Sequence, residues 1–526
     1  MQRCTDMRVL AQRATEREQD RWHGLRTMSR SGWIHTVVGI LALVLIGGAL
    51  TTLEAERAGL VKEALLVGRT PATVLRPEVA DGPVVVVAHG FAGSRQLMQG
   101  FAVTLARAGF TTVSYDLLGH GRNPVPMSGD VTSVEGTTRL LVDELRDVIW
   151  AAQAQYPDAP GLALLGHSMA TDIIVRASEA GRASAVVGVS TFSEAITATA
   201  PPNLLLLVGQ WEPRLIEAAR DVLYLRGPGT AFGLRQGQFA NGSARRAVIV
   251  PTAEHVAVLY APRALEEARA WLQQSFGRVV TDEPVSAQGR TIVVVLVGLT
   301  ALAWALTGVL PRNAARVPRL PAGYFVLITA GPALFVPIVL SLVETRFLPV
   351  LVADYLALHL LAYGLMVLVV LAHNRVIAPH HILRTIVLGL MVAGYGIGVF
   401  GWALDTYVAS FWPVADRFTI IAVIAVGAVA YMSADAVLSE AGRAPLWRTL
   451  FSRMMLLVSL LLAVALDFER LFFLLLISLV IILFLLLFGS IGGAVGRRTG
   501  SAAAVGLGNG LILAWALGVS FPLFLS

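Results

Sequence analysis

Charged residues and cysteine are scarce in this sequence of 526 residues. Only 14% of the residues are charged and 56% are hydrophobic, whereas soluble globular proteins have about 25% charged and about 45–50% apolar residues. The composition therefore excludes an ordinary cytosolic enzyme, and it equally excludes a disordered or collagen-like chain. The single cysteine, Cys4, excludes an intramolecular disulfide, a zinc site built on cysteines and an iron–sulfur cluster.

Lysine is almost absent as well, because Lys62 is the only one and the other basic residues are arginines. The net charge is +6, but nucleic-acid binding would need basic residues clustered on a soluble face. Here the arginines lie beside apolar runs, which is the membrane-protein pattern. We therefore expect a lipid bilayer as a partner and no nucleic acid.

The chain begins with an arginine-rich segment, residues 1–31, which we predict to be cytoplasmic. The apolar run Trp33–Leu50 follows, and its length of about 18 residues suffices to cross a bilayer core. No small-x-small cleavage site comes after it, which favours an uncleaved transmembrane signal anchor at 32–51 over a cleavable signal peptide. Either Met1 or Met28 would serve as the start.

Residues 58–289 have a globular composition, in which short apolar runs alternate with amphipathic segments. Continuous apolar strands that alternate with helices indicate an α/β class, with a doubly wound, mostly parallel sheet covered on both faces. The predicted strands are Val84–Ala88, Thr111–Tyr115, Leu162–Leu165, Ala185–Val189, Leu204–Val208 and Ala247–Val250. The predicted helices include Arg95–Ala108, Val134–Gln155, Met169–Ala180 and Pro262–Ser275.

Residues 291–526 contain long apolar runs and predict an all-α transmembrane bundle of about eight helices. The sixth run is the weakest, because Arg453 leaves about 13 uninterrupted apolar residues where about 17 are usually needed. The runs are Thr291–Leu310, Ala322–Val343, Phe347–Ala372, Thr385–Leu404, Phe418–Leu438, Leu450–Leu466, Leu471–Phe488 and Ser501–Leu525.

The distribution of arginine supports nine spans in all. With a cytoplasmic N-terminus, the inner loops and the N-terminal segment carry 17 arginines and the outer loops carry three, as the positive-inside rule requires. The sixth and seventh C-terminal runs then form a hairpin at Asp467–Arg470. The sequence thus predicts a multi-pass protein of the cell membrane, with the globular domain on the extracytoplasmic side.

A candidate nucleophile follows the strand Leu162–Leu165. The segment Gly166–Ala170 reads Gly-His-Ser-Met-Ala and opens a helix, which is the strand–turn–helix context of a nucleophile elbow. Small residues at both ends of the motif let the helix and strand approach closely. The motif alone is weak, since a chain rich in Gly and Ala contains such matches by chance.

Three further segments follow predicted strands, in an order that strengthens the motif. His89, Gly90 and Phe91 come directly after Val84–Ala88, upstream of the serine. Farther on, Glu212 comes just past Leu204–Val208, and His255 follows Ala247–Val250. The chain order of the candidate residues is therefore Ser168, Glu212, His255, which is the order of a serine, an acid and a histidine.

On these residues the sequence resembles the α/β-hydrolase family, over about 220 residues from Leu60 to Phe276. The resemblance implies a serine hydrolase domain, which is here fused to the polytopic membrane domain that the apolar runs predict. It implies Ser168 as the nucleophile, His255 as the base and Glu212 as the acid that orients it. Backbone N–H groups of Phe91 and Met169 would form the oxyanion hole, beside His89, Gly90, Gly166, His167 and Ala170. Neither a cofactor nor a metal is implied.

Each of these residues also has an ordinary structural interpretation. Ser168 could simply cap a helix, His255 could lie on the surface, and Glu212 could supply an acidic first turn. Glu217 and Asp221 are the fallback acids. His120 and His167 are interpreted as structural or substrate-lining, Asp116 as holding the loop after its strand, and Glu254 as pointing elsewhere.

No helical cap is predicted over the site. Only about 14 residues, Ser190–Asn203, join two neighbouring strands where many lipases carry their cap. The longest irregular stretch is Arg226–Ser243, between the acid and the histidine. We therefore predict an open, capless site bordered by that loop.

Ionisable residues in or near the apolar runs are functional candidates by default. We favour structural or interfacial roles for them over a transport pathway or a lipid-binding cavity, and helix packing for Asn509 within Gly506–Gly510. These residues are Asp354, His359, Asp405, Asp435 and Asp467.

The sequence thus predicts a membrane-embedded serine hydrolase that cleaves an ester, thioester or amide by acyl transfer. The substrate would be a small molecule, an acyl ester or a lipid. Two alternatives stay open: a transporter or membrane scaffold with an inactive hydrolase-like binding domain, and a membrane-bound serine peptidase of the same fold. The oligomeric state is left undetermined.

Overall fold

The structure is a computed structural model that describes residues 30–130, 133–227, 230–313, 317–345, 347–350, 352–377 and 381–525. The predicted cytoplasmic segment 1–31 lies outside this part of the chain except for its last two residues, so Cys4, Met1 and Met28 are not described. Arg316 and Arg346, which enter the count of loop arginines, are also outside it.

An eight-stranded sheet forms the centre of the globular domain, in the order β1-β2-β4-β3-β5-β6-β7-β8. β2 is antiparallel to both neighbours, and β3 to β8 are parallel. The strands β3 and β5 to β7 consist largely of Val, Leu and Ala, and every residue of β3 to β7 is buried. The strands are β1 Leu60–Val67, β2 Thr70–Pro77, β3 Val84–Ala88, β4 Thr111–Tyr115, β5 Leu162–His167, β6 Ala185–Val189, β7 Leu204–Gly209 and β8 Arg245–Val250.

Helices cover both faces of this sheet. One buried cluster joins α3, α4 and α5 to one face, and a second joins α2 and α6 to the other. α1, Arg30–Ala55, precedes the sheet, and the domain helices are α2 Gln99–Arg107, α3 Arg139–Gln155, α4 Met169–Ala177, α5 Pro213–Tyr224 and α6 Pro262–Ser275. Shorter turns are the 3-10 segments Arg95–Met98, Phe239–Asn241 and Ala257–Tyr260, and the π segment Val134–Thr138.

The α/β class with a mostly parallel sheet is confirmed, and all six predicted strands are present. The hairpin β1–β2 was not predicted, because β1 alternates between half-buried and exposed residues and has no long apolar run. Its turn is Gly68–Arg69, where Gly68 has a φ of +59°. The helix predicted over Val134–Gln155 is interrupted at Gly136, whose backbone is not helical.

Nine helical stretches among the described residues are long and apolar enough to cross a membrane, the same number as the predicted spans. The stretches are Gly32–Ala55, Gln288–Val309, Ala322–Leu340, Ala353–His373, Ile382–Leu404, Arg417–Leu438, Leu446–Leu466, Phe473–Thr499 and Ala502–Ser520. The helices after the globular domain are α7 Gln288–Leu306, α8 Ala322–Leu340, α9 Ala353–His373, α10 Ile382–Gly394, α11 Phe400–Leu404, α12 Arg417–Leu438, α13 Leu446–Leu466, α14 Phe468–Leu471, α15 Phe473–Thr499 and α16 Ala502–Ser520, with 3-10 turns at Thr307–Val309 and Glu440–Gly442 and a π segment at Tyr395–Val399.

The globular domain packs on one end of this helical bundle. Arg122 forms a 2.5 Å ion pair with Asp405, in the loop after α11. The buried guanidinium of Arg417, at the start of α12, donates to the carbonyl of Gly119 at 2.8 Å. Gln96 also donates to the carbonyl of Asp405, at 3.0 Å. Arg122 and Gly119 thus attach the loop after β4 to the helix ends, and Gln96 attaches the segment after β3.

The predicted final run, Ser501–Leu525, is helical only as far as Ser520. Beyond it, the chain is extended and pairs with the globular domain. Met127 donates its N–H to the carbonyl of Leu523 at 2.9 Å, and the N–H of Leu525 donates to Met127 at 2.6 Å. The run is shorter as a helix because its last residues satisfy their backbone groups in this pairing instead.

Candidate active site

Ser168 stands in the sharp turn between β5 and α4. Its φ of +53° and ψ of −120° are strained for a residue with a side chain. Gly166 makes this turn possible, because a Cβ there would lie 2.9 Å from the carbonyl oxygen of Ala170. Ala170 itself is fully buried, so the two small residues allow the close approach of strand and helix.

The side chains of Ser168, His255 and Glu212 form one continuous chain of hydrogen bonds. Ser168 Oγ lies 2.8 Å from His255 Nε2, and His255 Nδ1 lies 2.6 Å from Glu212 Oε1. A carboxylate can only accept, so Nδ1 carries the proton and Nε2 is left to accept from the serine hydroxyl. The geometry therefore suits proton transfer from Ser168 to His255.

Glu212 is buried and held by three donors. Besides His255, the N–H of Gly209 donates to its Oε2 at 2.6 Å, and the hydroxyl of Ser190 donates at 2.8 Å. Burial opposes ionisation, but these hydrogen bonds outweigh it and lower the pKa of the Glu212 carboxyl. Glu212 is therefore an ionised, rigid partner for the imidazole at neutral pH.

The loop after β3 lies directly beside the nucleophile. A Cβ on Gly90 would lie 3.0 Å from Ser168 Cβ, so only glycine allows the loop to pass this close. The next N–H, of Phe91, and the N–H of Met169 at the start of α4 donate to no acceptor among the described residues. Both are candidates to bind a developing negative charge beside Ser168.

Three histidines surround this loop and the nucleophile, and burial lowers the pKa of each. His89 accepts from the N–H of Leu117 at 3.1 Å and donates to the carbonyl of Gly90 at 2.7 Å, which fixes its tautomer. His120 packs edge-on against His89 and Phe91, and its pKa lies well below the usual value.

His167 completes the set. Its Nε2 lies 2.9 Å from the backbone oxygen of His255. Burial and the neighbouring His255 lower the pKa of His167 to about 3. A neutral ring at this place supports the segment that carries the candidate base and adds no positive charge to the site.

Part of the globular domain is similar to a known protein family. Residues 81–227, which contain Ser168 and Glu212, match the family model described as serine aminopeptidase S33. With its mostly parallel sheet covered by helices on both faces, the globular domain is similar in fold to α/β hydrolases. No curated protein matches the chain.

Solved structures similar to the hydrolase domain include three enzymes. A serine hydrolase without a lid from Xanthomonas campestris is 20% identical, with 43% of this chain and 98% of that one covered and a TM-score of 0.29. A dienelactone hydrolase from Anabaena variabilis is 21% identical, with 41% and 96% covered and a TM-score of 0.29. A membrane phospholipase A is 15% identical, with 46% and 96% covered and a TM-score of 0.30.

The alternative acids lie away from the hydrogen-bonded chain. Glu217 and Asp221 are exposed on α5. Glu254 accepts from the N–H groups of Val256 and Ala257, at 3.0 and 2.7 Å, and so stabilises the turn after His255. Asp116 accepts from Arg95, both backbone and side chain, at 2.8 Å.

The prediction that Arg226–Ser243 borders the site is wrong. The described residues of this loop run along the first half of β8: Gln236 bridges Arg245, and Gly233 donates to Ala247 at 2.7 Å. His255 lies beyond the other end of that strand. The glycine-rich loop instead satisfies the free hydrogen-bonding groups of the edge strand.

The side of the site that this loop leaves open is bordered by the apolar helices after the globular domain. The ring of Phe91 stacks on Phe473, at the start of α15, with centroids 4.4 Å apart and planes 27° apart. The sequence did not indicate Phe473, since nothing local marks it. Ser190 was also missed, although its position directly after β6 puts it at the strand ends that carry the other site residues.

The ionisable residues of the bundle are engaged by other groups. Asp435 pairs with Arg453 at 3.0 Å, and His359 Nε2 lies 3.0 Å from Ser459 Oγ. The remaining contacts are Asp354 with the N–H groups of Phe347 and Tyr355, Asp467 with Arg470, Asp405 with Arg122, and Asn509 with the carbonyl of Phe488. No group of His, Cys, Asp and Glu that could hold a metal is present among the described residues.

Proposed function

We propose that the chain is a membrane-embedded serine hydrolase that transfers an acyl group from an ester, thioester or amide to water. The observation that carries this proposal is the unbroken hydrogen-bond chain from Ser168 through His255 to Glu212. An inactive binding domain would have no need for these three side chains in one line, so the geometry disfavours the scaffold alternative.

In this reaction His255 Nε2 accepts the hydroxyl proton as Ser168 Oγ attacks the substrate carbonyl. The negative oxygen that forms would accept from the N–H groups of Phe91 and Met169. His255 then gives its proton to the leaving group as the carbon–heteroatom bond breaks. Water attacks the acyl-serine by the same route, which releases the acid and restores the hydroxyl. Glu212 stabilises the imidazolium in both steps.

The proposal puts the hydrolase domain at the extracytoplasmic face of a membrane. The nine apolar helices support it, because each is long enough to cross a bilayer core. The excess of arginine in the loops away from the hydrolase domain supports this orientation.

A fluorophosphonate probe tests the serine mechanism directly, because it labels only a serine activated by a neighbouring base. We expect the detergent-purified wild type to be labelled and Ser168→Ala to lose all labelling, while both keep the same thermal unfolding midpoint. A folded wild type that is not labelled would overturn the proposal.

A peptidase is the second candidate, favoured by the description of the matched family as serine aminopeptidase. Hydrolysis of aminoacyl arylamides, compared with short-chain acyl esters under the same conditions, distinguishes the two. Faster arylamide cleavage would favour the peptidase, and faster ester cleavage the esterase.

A further inference from the structure

The loop after β3 that carries Gly90, Phe91 and Ala92 is the proposed oxyanion loop. It lies against the outer ends of two membrane helices, α15 and α16. Phe91 and Ala92 form one wall of a shallow groove, and Leu476, Ile477 and Val480 of α15 line the opposite side. Phe521, just after α16, closes one end. The lining side chains are apolar except for Ser520, whose hydroxyl donates to the carbonyl of Ala516, so the groove offers a largely hydrocarbon surface beside the N–H that would bind the substrate carbonyl oxygen.

The groove continues into an apolar stripe on α15. Leu476, Val480 and Leu483 are 40%, 36% and 50% exposed. Their spacing of four and then three residues puts them on one face of the helix. In a bilayer this face would contact acyl chains. The stripe runs along the helix toward the oxyanion loop, and its exposed side chains are all apolar.

A second space with some charged side chains lies beyond Phe473. Phe473, which stacks on Phe91, also lines a cavity of about 1020 Å³. The same cavity is lined by Asp354, Glu469 and Arg470. The loop therefore contacts the apolar groove directly and lies, through Phe473, next to a cavity that carries charged side chains.

We propose that the substrate is a membrane lipid ester that enters sideways from the bilayer. Its acyl chain would lie in the groove and along Leu476 and Val480, and its polar part would face the cavity. This proposal rests on the proposed serine hydrolase function, because the ester carbonyl would meet Ser168. The ester C–O bond breaks, the acyl group passes to Ser168 Oγ, and the lipid alcohol leaves with the proton from His255. Water then releases the fatty acid.

Mutations in the apolar groove test lipid entry separately from the serine mechanism. Val480→Trp would fill the groove without adding charge. Leu479→Trp is the matched control, because Leu479 is 50% exposed on the same helix but does not line the groove. Leu476→Trp is a second blocking variant, to be used if Val480→Trp does not fold.

The experiment uses the full chain in phosphatidylcholine vesicles, with methylumbelliferyl oleate in the bilayer and methylumbelliferyl butyrate in water as probes. We expect Val480→Trp to lower the ratio of oleate to butyrate hydrolysis at least tenfold, and Leu479→Trp to leave this ratio within twofold of wild type. An unchanged ratio in a blocking variant whose Ser168 still reacts with fluorophosphonate would overturn the lipid proposal alone. Absence of fluorophosphonate labelling in the wild type would overturn the serine hydrolase function itself.

Discussion

Glu212 connects three strand ends of the hydrolase domain through one carboxyl group. It follows β7, accepts from Ser190 after β6 and from His255 after β8. With both oxygens engaged, the carboxylate has little rotational freedom, so the imidazole is held with its Nδ1–H toward the acid. The hydrogen bonds that lower the Glu212 pKa therefore also set which ring nitrogen faces Ser168.

Replacing Glu212 by glutamine should lower kcat for ester hydrolysis about 10³- to 10⁴-fold, because the amide no longer stabilises the imidazolium or selects the Nδ1–H tautomer. Steady-state hydrolysis of methylumbelliferyl butyrate measures the effect. Glu217→Gln, on the exposed face of α5, is the matched control and should stay within twofold of wild type. A large loss in the control with full activity in Glu212→Gln would assign the acid to Glu217.

Sequence position alone indicated most of the candidate site. Ser168, Glu212 and His255 each follow a parallel strand, and the carboxyl ends of parallel strands meet at one edge of a sheet. Phe473 could not be predicted in this way, because its contact with Phe91 joins two parts of the chain that no local pattern relates.

At the scale of elements, Glu144 ties α3 to the loop after β4. Its carboxyl accepts from Thr70 at 2.5 Å, from Asn123 at 2.8 Å and from the N–H of Leu118 at 2.9 Å. Burial raises the pKa of Glu144 to about 7, although these hydrogen bonds act against it. The same loop carries His120, which packs against Phe91.

This raised pKa predicts a dependence of stability on pH. Between the ordinary pKa of 4.5 and about 7, the folded state keeps a proton that the unfolded state has released. The stabilising contribution is therefore complete below 4.5 and is lost as the pH rises to about 7. We expect the thermal unfolding midpoint of wild type to fall between about pH 5 and about pH 8, relative to Glu144→Gln, as scanning fluorimetry would measure. If the unfolding midpoints of the two proteins changed with pH in parallel, the raised pKa of Glu144 would be contradicted.

The helix α13 shows why the weakest predicted run still forms a full-length helix. Arg453 interrupts the apolar run, but its guanidinium pairs with Asp435 of α12 and donates to the carbonyl of Leu485 in α15. Because the charge is compensated by neighbouring helices, the helix extends from Leu446 to Leu466. The hydropathy of one segment cannot indicate that its charged residue has an ion-pair partner in another helix.

At the scale of the whole molecule, the hydrolase domain and the bundle share a polar contact surface. Asp405 accepts from Arg122 and from the N–H groups of Phe411 and Trp412. Gln99 and Arg57 both approach the carbonyl of Thr406. All these groups lie at the same end of the bundle. The side of the membrane on which the hydrolase domain lies would therefore determine the orientation of every helix in the bundle.

Cysteine labelling tests that orientation, because Cys4 is the only native thiol. In a Cys4→Ser background, Asp158→Cys, exposed on the hydrolase domain, should react with a membrane-impermeant maleimide in intact cells. Arg384→Cys, exposed near the opposite end of the bundle, should react only after permeabilisation. The reverse pattern would contradict the proposed topology.

The pairing of Met127 with Leu523 and Leu525 has a consequence for biosynthesis. Ribosomes release the residues of the hydrolase sheet well before those that follow α16, and domains generally fold as they emerge. The segment around Met127 therefore stays unpaired until the residues beyond α16 have been synthesised. In the membrane protein proposed above, completion of the globular domain would thus be coupled to insertion of the final helix.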